Sequence, residues 1–305
     1  MSKIGIALLF GGFSAERDVS IKTGEMIAKN LDKNKYQVFL FDPAKDLAGF
    51  IRAINRKKID VVFPALHGWL GEDGAIQGLL ELLKVPYVFS GVLASALAMD
   101  KEMTKRILKS EKIPTPKYFI FTKGNHISLK KTKFPCVVKP VSQGSSVGVT
   151  IVKGPAQLKK AIKQALEYDS RIMIEEFIEG REITAAVLGN KKPKALPLIE
   201  IKPRVADFFD YQAKYEIGGS EEICPAPISA ALTKRIQDLA IRVHLALGCR
   251  GVTRSDFILH GNQPFFLEIN TIPGMTATSL VPQAALRAGL EFSQLLDKLI
   301  ELARE

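Results

Sequence analysis

The chain has 305 residues, 47% apolar and 25% charged, with 43 Lys and Arg against 32 Asp and Glu for a formal net charge of +11. That length predicts two or three modules of about 100–150 residues each, and the composition excludes a disordered or collagen-like chain. No apolar run approaches the ~20 residues that cross a bilayer, and the basic residues fall in scattered pairs such as Lys57-Lys58 and Lys159-Lys160 without interleaved aromatics, which argues against a nucleic-acid or membrane partner and for steering of small anions.

The first third alternates strands over Ile4–Phe10, Tyr36–Phe41 and Asp60–Leu66 with helices over Glu16–Leu31, Asp46–Lys57 and Gly74–Leu83. This βαβαβ order predicts an open parallel sheet covered on both faces, with ligands at the strand C-termini. Two glycine-bearing turns lie there, Gly11 to Glu16 and His67 to Gly74, and neither has the G-x-G-x-x-G spacing of a dinucleotide oxidoreductase. The start of the chain lacks the long apolar segment and cleavage site of a signal peptide, so a cytoplasmic location is expected. Cys136, Cys224 and Cys249 are odd in number with no CxxC spacing, so they are expected to be reduced.

A second module opens with Asp100 as N-cap of a helix over Lys101–Lys112, closed by Pro114 and Pro116. A strand over Phe134–Pro140, the small-residue loop Gly144-Ser145-Ser146-Val147-Gly148 and a strand over Val149–Val152 make a hairpin, followed by a helix over Pro155–Tyr168 and a strand over Arg171–Glu175. Lys139 beside that loop suits a phosphate grip, since small residues let backbone N–H groups close on oxygens; by itself such a loop is commonly only a turn. Glu175 and Glu182 flank an apparent domain joint where carboxylates can accept from ribose hydroxyls.

The last third holds a long loop between Arg204 and Ser220, helices with apolar stripes at Ile236, Leu239 and Val243 and at Leu295, Leu296 and Leu299, and two apolar strands, Gly251–Phe257 and Phe265–Asn270. Strand alternation puts Arg254 with Asp256, and Glu268 with Asn270, on common faces. A hairpin loop over 260–264 would pair position 259 with 265 and bring Asp256 opposite Glu268, whereas an even-length loop would separate them. Two carboxylates and an amide suit a hard cation that also grips phosphate; the same spacing serves a surface ion-pair ladder equally well.

Taken together, Lys139, the glycine-serine loop, Glu175 to Glu182 and the Arg254/Asp256 and Glu268/Asn270 pairs resemble the ATP-grasp superfamily. Within it, Gly11-Gly-Phe-Ser-Ala-Glu-Arg-Asp-Val-Ser20, His67-Gly-x-x-Gly-Glu-Asp-Gly74, Met99-Asp-Lys101, Asp210-Tyr-Gln-Ala-Lys-Tyr215 and Glu268-x-Asn-Thr-x-Pro-Gly-Met-Thr276 resemble the D-alanine–D-alanine ligase family, in order along essentially the whole chain. The resemblance implies an α/β and α+β chain of ATP-grasp fold: an N-terminal open parallel α/β domain (1–97), a central ATP-binding lobe (98–181) and a C-terminal lobe (182–305) clamping the nucleotide. It implies ATP and two Mg²⁺ ions, with Mn²⁺ as a substitute, a homodimer, and synthesis of D-alanyl-D-alanine for peptidoglycan.

By the same resemblance, Lys101 and Lys139 meet the nucleotide phosphates, Ser146 and Glu175 belong to the nucleotide site, the main chain near Glu176 and Ile178 reads adenine, and Glu182 meets ribose. Asp256, Glu268 and Asn270 ligate metal. Glu16 binds the ammonium of the first D-alanine beside His67, and Arg254 with the Gly274 N–H stabilises the oxyanion. Lys214, Ser279 and Leu280 form the second D-alanine pocket, while Ser145 and Tyr215 join Glu16 in closing the lid. Alone, His67, Tyr215 and Ser279 each read equally as a satisfied histidine, a packing tyrosine and a helix cap. The nearest rival joins D-alanine to D-lactate or D-serine; relatives of that kind lack the Lys214-Tyr215 pair.

Overall fold

The computed structural model describes residues 3–124, 132–203, 219–276 and 278–305. Lys214, Tyr215 and nearly all of the expected long loop between Arg204 and Ser220 lie outside the described residues. Strands β1 (Ile4–Leu9), β2 (Tyr36–Phe41) and β3 (Val61–Pro64) form a parallel sheet in the order β2-β1-β3, with α1 (Arg17–Asn30), α2 (Pro43–Asn55) and α3 (Ala75–Leu82) between and after them. Alternation buries both faces: Ile6, Leu8, Val61 and Phe63 join one core, and Ala7, Leu9 and Val62 join another with Phe50 and Leu80. The first of these cores includes Leu295, Leu296 and Leu299, so the last helix seals the first sheet.

Helix α2 begins at Pro43, earlier than its periodicity indicates, because Asp42 caps it by accepting from the Ala44 N–H and Pro43 supplies a preset first-turn φ. The expected start, Asp46, is instead a kink at φ −143°, ψ 58°. An unanticipated helix, α4 (Val92–Met99), is made of small apolar residues without a polar stripe. It runs into α5 (Lys101–Ser110), capped as expected by Asp100, whose carboxylate accepts from Met103 N–H at 2.9 Å.

The central sheet is antiparallel in the order β4-β7-β5-β6, from β4 (Tyr118–Thr122), β5 (Cys136–Pro140), β6 (Thr150–Val152) and β7 (Arg171–Glu176), with α6 (Pro155–Ala165) packed on one face through Leu158, Ala161 and Ile162. The third sheet runs β11-β10-β8-β12-β13, from β8 (Arg181–Leu188), β10 (Ile199–Pro203), β11 (Ser220–Ile223), β12 (Val252–His260) and β13 (Gln263–Asn270), with the short β9 (Lys194–Ala195) on β8. Helix α7 (Ala230–Ala246) covers it through Ile236, Leu239 and Val243, and α8 (Leu280–Arg287) and α9 (Phe292–Ala303) close the chain.

The β12–β13 hairpin corrects one expectation and keeps its consequence. The turn is the two-residue Gly261-Asn262, with His260 opposite Gln263 and Leu259 opposite Pro264, so 259 does not pair with 265. Continued evenly, that ladder would set Asp256 against Leu267. A β-bulge takes up Leu267 as one extra residue, and beyond it Asp256 faces Glu268 and Arg254 faces Asn270.

Strand β12 is entered through Gly251, at φ +70°, whose N–H donates to Asn190 Oδ1 at 2.9 Å. A Cβ there would lie 3.2 Å from Phe89 Cα, which is backbone that cannot swing aside. Gly251→Ala is therefore expected to destabilise the chain by about 1–3 kcal/mol. An unfolding midpoint in urea equal to that of the unsubstituted protein would contradict this.

Candidate active site

The third sheet supplies the acidic side of the cleft. Asp256 is buried on β12, where Thr184 Oγ1 of β8 donates to its Oδ1 at 2.7 Å and Arg254 donates through Nε at 3.0 Å and Nη2 at 2.9 Å. Glu268, directly opposite, has Oε2 3.7 Å from Lys101 Nζ. Asn270 opens with Lys101 and Glu268 onto one niche. Among the described residues no three His, Cys, Asp or Glu side chains converge on a metal position, so the donor set is two carboxylates and an amide rather than a closed cage.

The basic side comes from α5 and the central sheet. Lys139 on β5 and Glu175 on β7 lie two residues apart across the ladder on one face, and Lys139 Nζ donates to Glu175 Oε1 at 2.9 Å. The other carboxylate oxygen accepts from Lys105, one helical turn after Lys101 on α5 and fully buried. Burial alone would raise Glu175, but Lys105 and Lys139 outweigh it and hold the carboxyl below its ordinary range. Burial draws Lys105 down to about 8 against the pull of Glu175.

Lys139, Glu175 and Glu268 line one cleft with Lys101, Ser146, Glu176, Ile178 and Glu182. The nucleotide-binding residues expected from the sequence are thus brought together around one cavity. Glu175 differs from expectation in one respect: both its oxygens are already engaged by ammonium groups, so it braces Lys139 as well as facing the cleft.

The N-terminal sheet closes the far end. Glu16, at the start of α1, is buried and accepts from Ser145 Oγ of the glycine-serine loop, joining positions 129 residues apart. Ser145 and Ser146 both hold left-handed φ, +49° and +59°, a conformation that persists only where neighbours over-determine it. Gly68 holds left-handed φ +70°, which favours glycine, and a Cβ there would stand 2.6 Å from Glu16 Oε2, so a larger residue would displace that carboxylate. His67 is buried with Nε2 3.1 Å from Thr23 Oγ1, and burial foremost lowers it to about 4, so it is neutral near pH 7. Beyond β13, a Cβ on Gly274 would lie 2.9 Å from Ser279 Oγ. That hydroxyl accepts from Thr276 N–H at 3.0 Å, while Ser279 makes no side-chain cap to α8; Leu280 is buried beside it.

Two site residues escaped sequence reasoning. Lys105 carried a signal in its i,i+4 spacing from Lys101, which places both on one helical face. Glu72 sat in the quoted His67 turn; it is buried, accepts from Gly68 N–H at 2.7 Å and shares the niche of Lys101 and Asn270. Burial first, then nearby Glu16, pushes its carboxyl up to about 8. Thr253, before Arg254, is buried, and its Oγ1 lies 2.8 Å from Nδ1 of buried His244.

Known proteins resemble this chain along essentially its whole length. Family models described as D-ala D-ala ligase N-terminus and C-terminus match residues 5–55 with 44–90 and residues 107–301. A D-alanine–D-alanine ligase of Syntrophobacter fumaroxidans is 50% identical over 99% of this chain and 98% of that protein. The crystal structure of D-alanine–D-alanine ligase from Bacillus anthracis complexed with ATP superposes at TM-score 0.86, with 36% identity over 99% of this chain and 97% of the other. VanG D-Ala:D-Ser ligase of Enterococcus faecalis is also similar, at TM-score 0.85 and 34% identity over 99% and 100% of the two chains.

Glu72 gives the site a pH signature. Its folded pKa lies above the unfolded one, so its contribution to stability is full below the ordinary carboxylate range and is lost as pH rises toward about 8. Glu72→Gln, which stays neutral, should flatten the fall in melting temperature between about pH 5 and 8. Parallel pH profiles for the two proteins would refute this reading of Glu72.

Proposed function

The chain belongs to the D-alanine–D-alanine ligase family and is an ATP-dependent ligase of ATP-grasp fold that joins two D-alanines; we propose that the described cleft divides this work among its own residues as follows. The carrying observation is that Lys139, Lys101 and Glu268 open onto one cavity, so phosphate-binding cations and the carboxylate hairpin face the same space. Lys101 and Lys139 hold the ATP phosphates, the Glu176–Ile178 main chain reads adenine and Glu182 the ribose. The first D-alanine carboxylate attacks the γ-phosphorus; its O–P bond forms as the bond to the β-phosphate oxygen breaks, giving an acyl phosphate and ADP. The second D-alanine, as its free amine, attacks the acyl carbon; a C–N bond forms, the acyl C–O bond to phosphate breaks, and phosphate leaves while the nitrogen gives up one proton to it or to water.

Asp256, Glu268 and Asn270 fit a hard divalent cation, because two carboxylates and an amide oxygen leave coordination positions for phosphate. Mg²⁺, or Mn²⁺ in its place, would supply charge neutralisation at the transferred phosphoryl group. Glu16 takes the ammonium of the first D-alanine, with neutral His67 and buried Glu72 close by. Ser145, bonded to Glu16, ties the glycine-serine loop over the substrate. Arg254, held in plane by Asp256, and the Gly274 N–H stabilise the oxyanion of the second step. Ser279 and Leu280 border the second amino acid; by resemblance Lys214 is assigned there too, and Tyr215 to the closure made by Ser145 and Glu16.

The three sheets support division of the chain at 97 and 181. We assign it to the cytoplasm, where ATP and peptidoglycan precursors meet; among the described residues no helix is long and apolar enough to cross a membrane. A homodimer is assigned by resemblance to the family.

Arg254→Ala is expected to lower dipeptide formation by about 10²–10³-fold. The check is phosphate release that depends on D-alanine and not L-alanine, with D-alanyl-D-alanine identified as product. Turnover retained by the variant would remove Arg254 from the oxyanion site, and ester formation with D-lactate dominating at neutral pH would overturn the choice of second substrate.

A further inference from the structure

We propose that Lys105 is a positioning residue for ATP: it braces Glu175 from behind, so that Lys139 stays at the cleft with positive charge to offer a phosphate. Lys105 touches no part of the cavity itself. Its side chain is fully buried, and its ammonium donates to Glu175 Oε2 with the Tyr118 ring 5.7 Å from Nζ on the flanking strand. An ammonium with no water is retained only where a carboxylate compensates it, and Glu175 is that carboxylate. Yet Glu175 also accepts from Lys139 at 2.9 Å.

The charge count gives the arrangement its meaning. Lys105, Glu175 and Lys139 form a buried row of two cations and one anion, which leaves one positive charge; Lys139 and Glu175 line the cavity, and Lys105 lies behind them. Without Lys105, the carboxylate and Lys139 would neutralise each other one to one, and the cleft would lose its attraction for an anion at that point. Strand pairing explains why this needs three residues. β5 and β7 set Lys139 and Glu175 on one face, but the second oxygen of Glu175 points back to α5, where a lysine four residues after Lys101 reaches it. Lys101 therefore faces the cleft, and Lys105, one turn on, stands behind it.

This inference rests on the reading that Lys139 meets ATP phosphates, and the test separates the two. Steady-state kinetics with ATP and D-alanine varied independently are measured for Lys139→Met, Lys105→Met, Glu175→Gln and the Lys105→Met/Glu175→Gln double variant. Lys105→Met is expected to raise KM for ATP by about tenfold and KM for D-alanine by less than about twofold. Because Lys105 acts only through the Glu175 charge, adding Lys105→Met to Glu175→Gln should leave KM for ATP within about twofold. Should Lys105→Met not fold, Lys105→Gln, which removes the charge but keeps a polar group against Glu175, is measured in its place with the same expectations. An unchanged KM for ATP in Lys139→Met would sink the reading of Lys139. A raised one there, with Lys105→Met unchanged, with both substrates weakened alike, or with the tenfold loss persisting in the Glu175→Gln background, would sink the role of Lys105.

Discussion

Charged side chains withdrawn from water around one cavity are the constraint this molecule is built to meet. Lys101, Lys105, Lys139, Glu175 and Asp256 are each less than 7% exposed. A buried charge without a partner costs several kcal/mol, on the order of the whole stability of a domain. Each must therefore be answered by a group on another element. Glu175 of β7 answers α5 and β5, Arg254 and Thr184 answer Asp256, and Glu268 of β13 stands toward Lys101 of α5. Of these pairs Glu268 and Lys101 span the central and C-terminal lobes, so charges that line the cleft also bear on how the lobes face each other.

The N-terminal sheet contributes through loops at its strand ends, where an open parallel sheet places ligands. Glu16 follows β1 and His67 with Glu72 follows β3, and all are buried against the tail of β13 or the glycine-serine loop. The bond from Ser145 to Glu16 pins a loop whose two serines hold left-handed backbone. Burial shifts both His67 and Glu72 toward their neutral forms.

Much of the fold was legible because its signals are local. The period-two runs of β1 and β3, the Asp100 cap and the stripe on α9 each follow from a few neighbouring residues. The helix α4 was not legible, since its small apolar residues carry no amphipathic period, and α2 began at a cap and proline that outweighed its apolar spacing. Most of the candidate site was readable from spacing and resemblance, because Lys139, the glycine-serine loop and the hairpin acids are contiguous motifs. The exceptions were Glu72 and Lys105, whose importance lies in being buried beside groups far away in the chain.

By itself, then, the sequence determined the elements, the order of the motifs and the residue types facing one cleft, because alternation and helical period act over a few residues. Only the tertiary structure decided register and pairing. Whether Asp256 met Glu268 hung on a two-residue turn and a bulge at Leu267 that together shift the ladder by one. Which ammonium Glu175 would neutralise hung on α5 lying behind β7, joining residues 70 apart. Such choices are made when sheets and helices pack, since only then is a charge removed from water and obliged to find its partner.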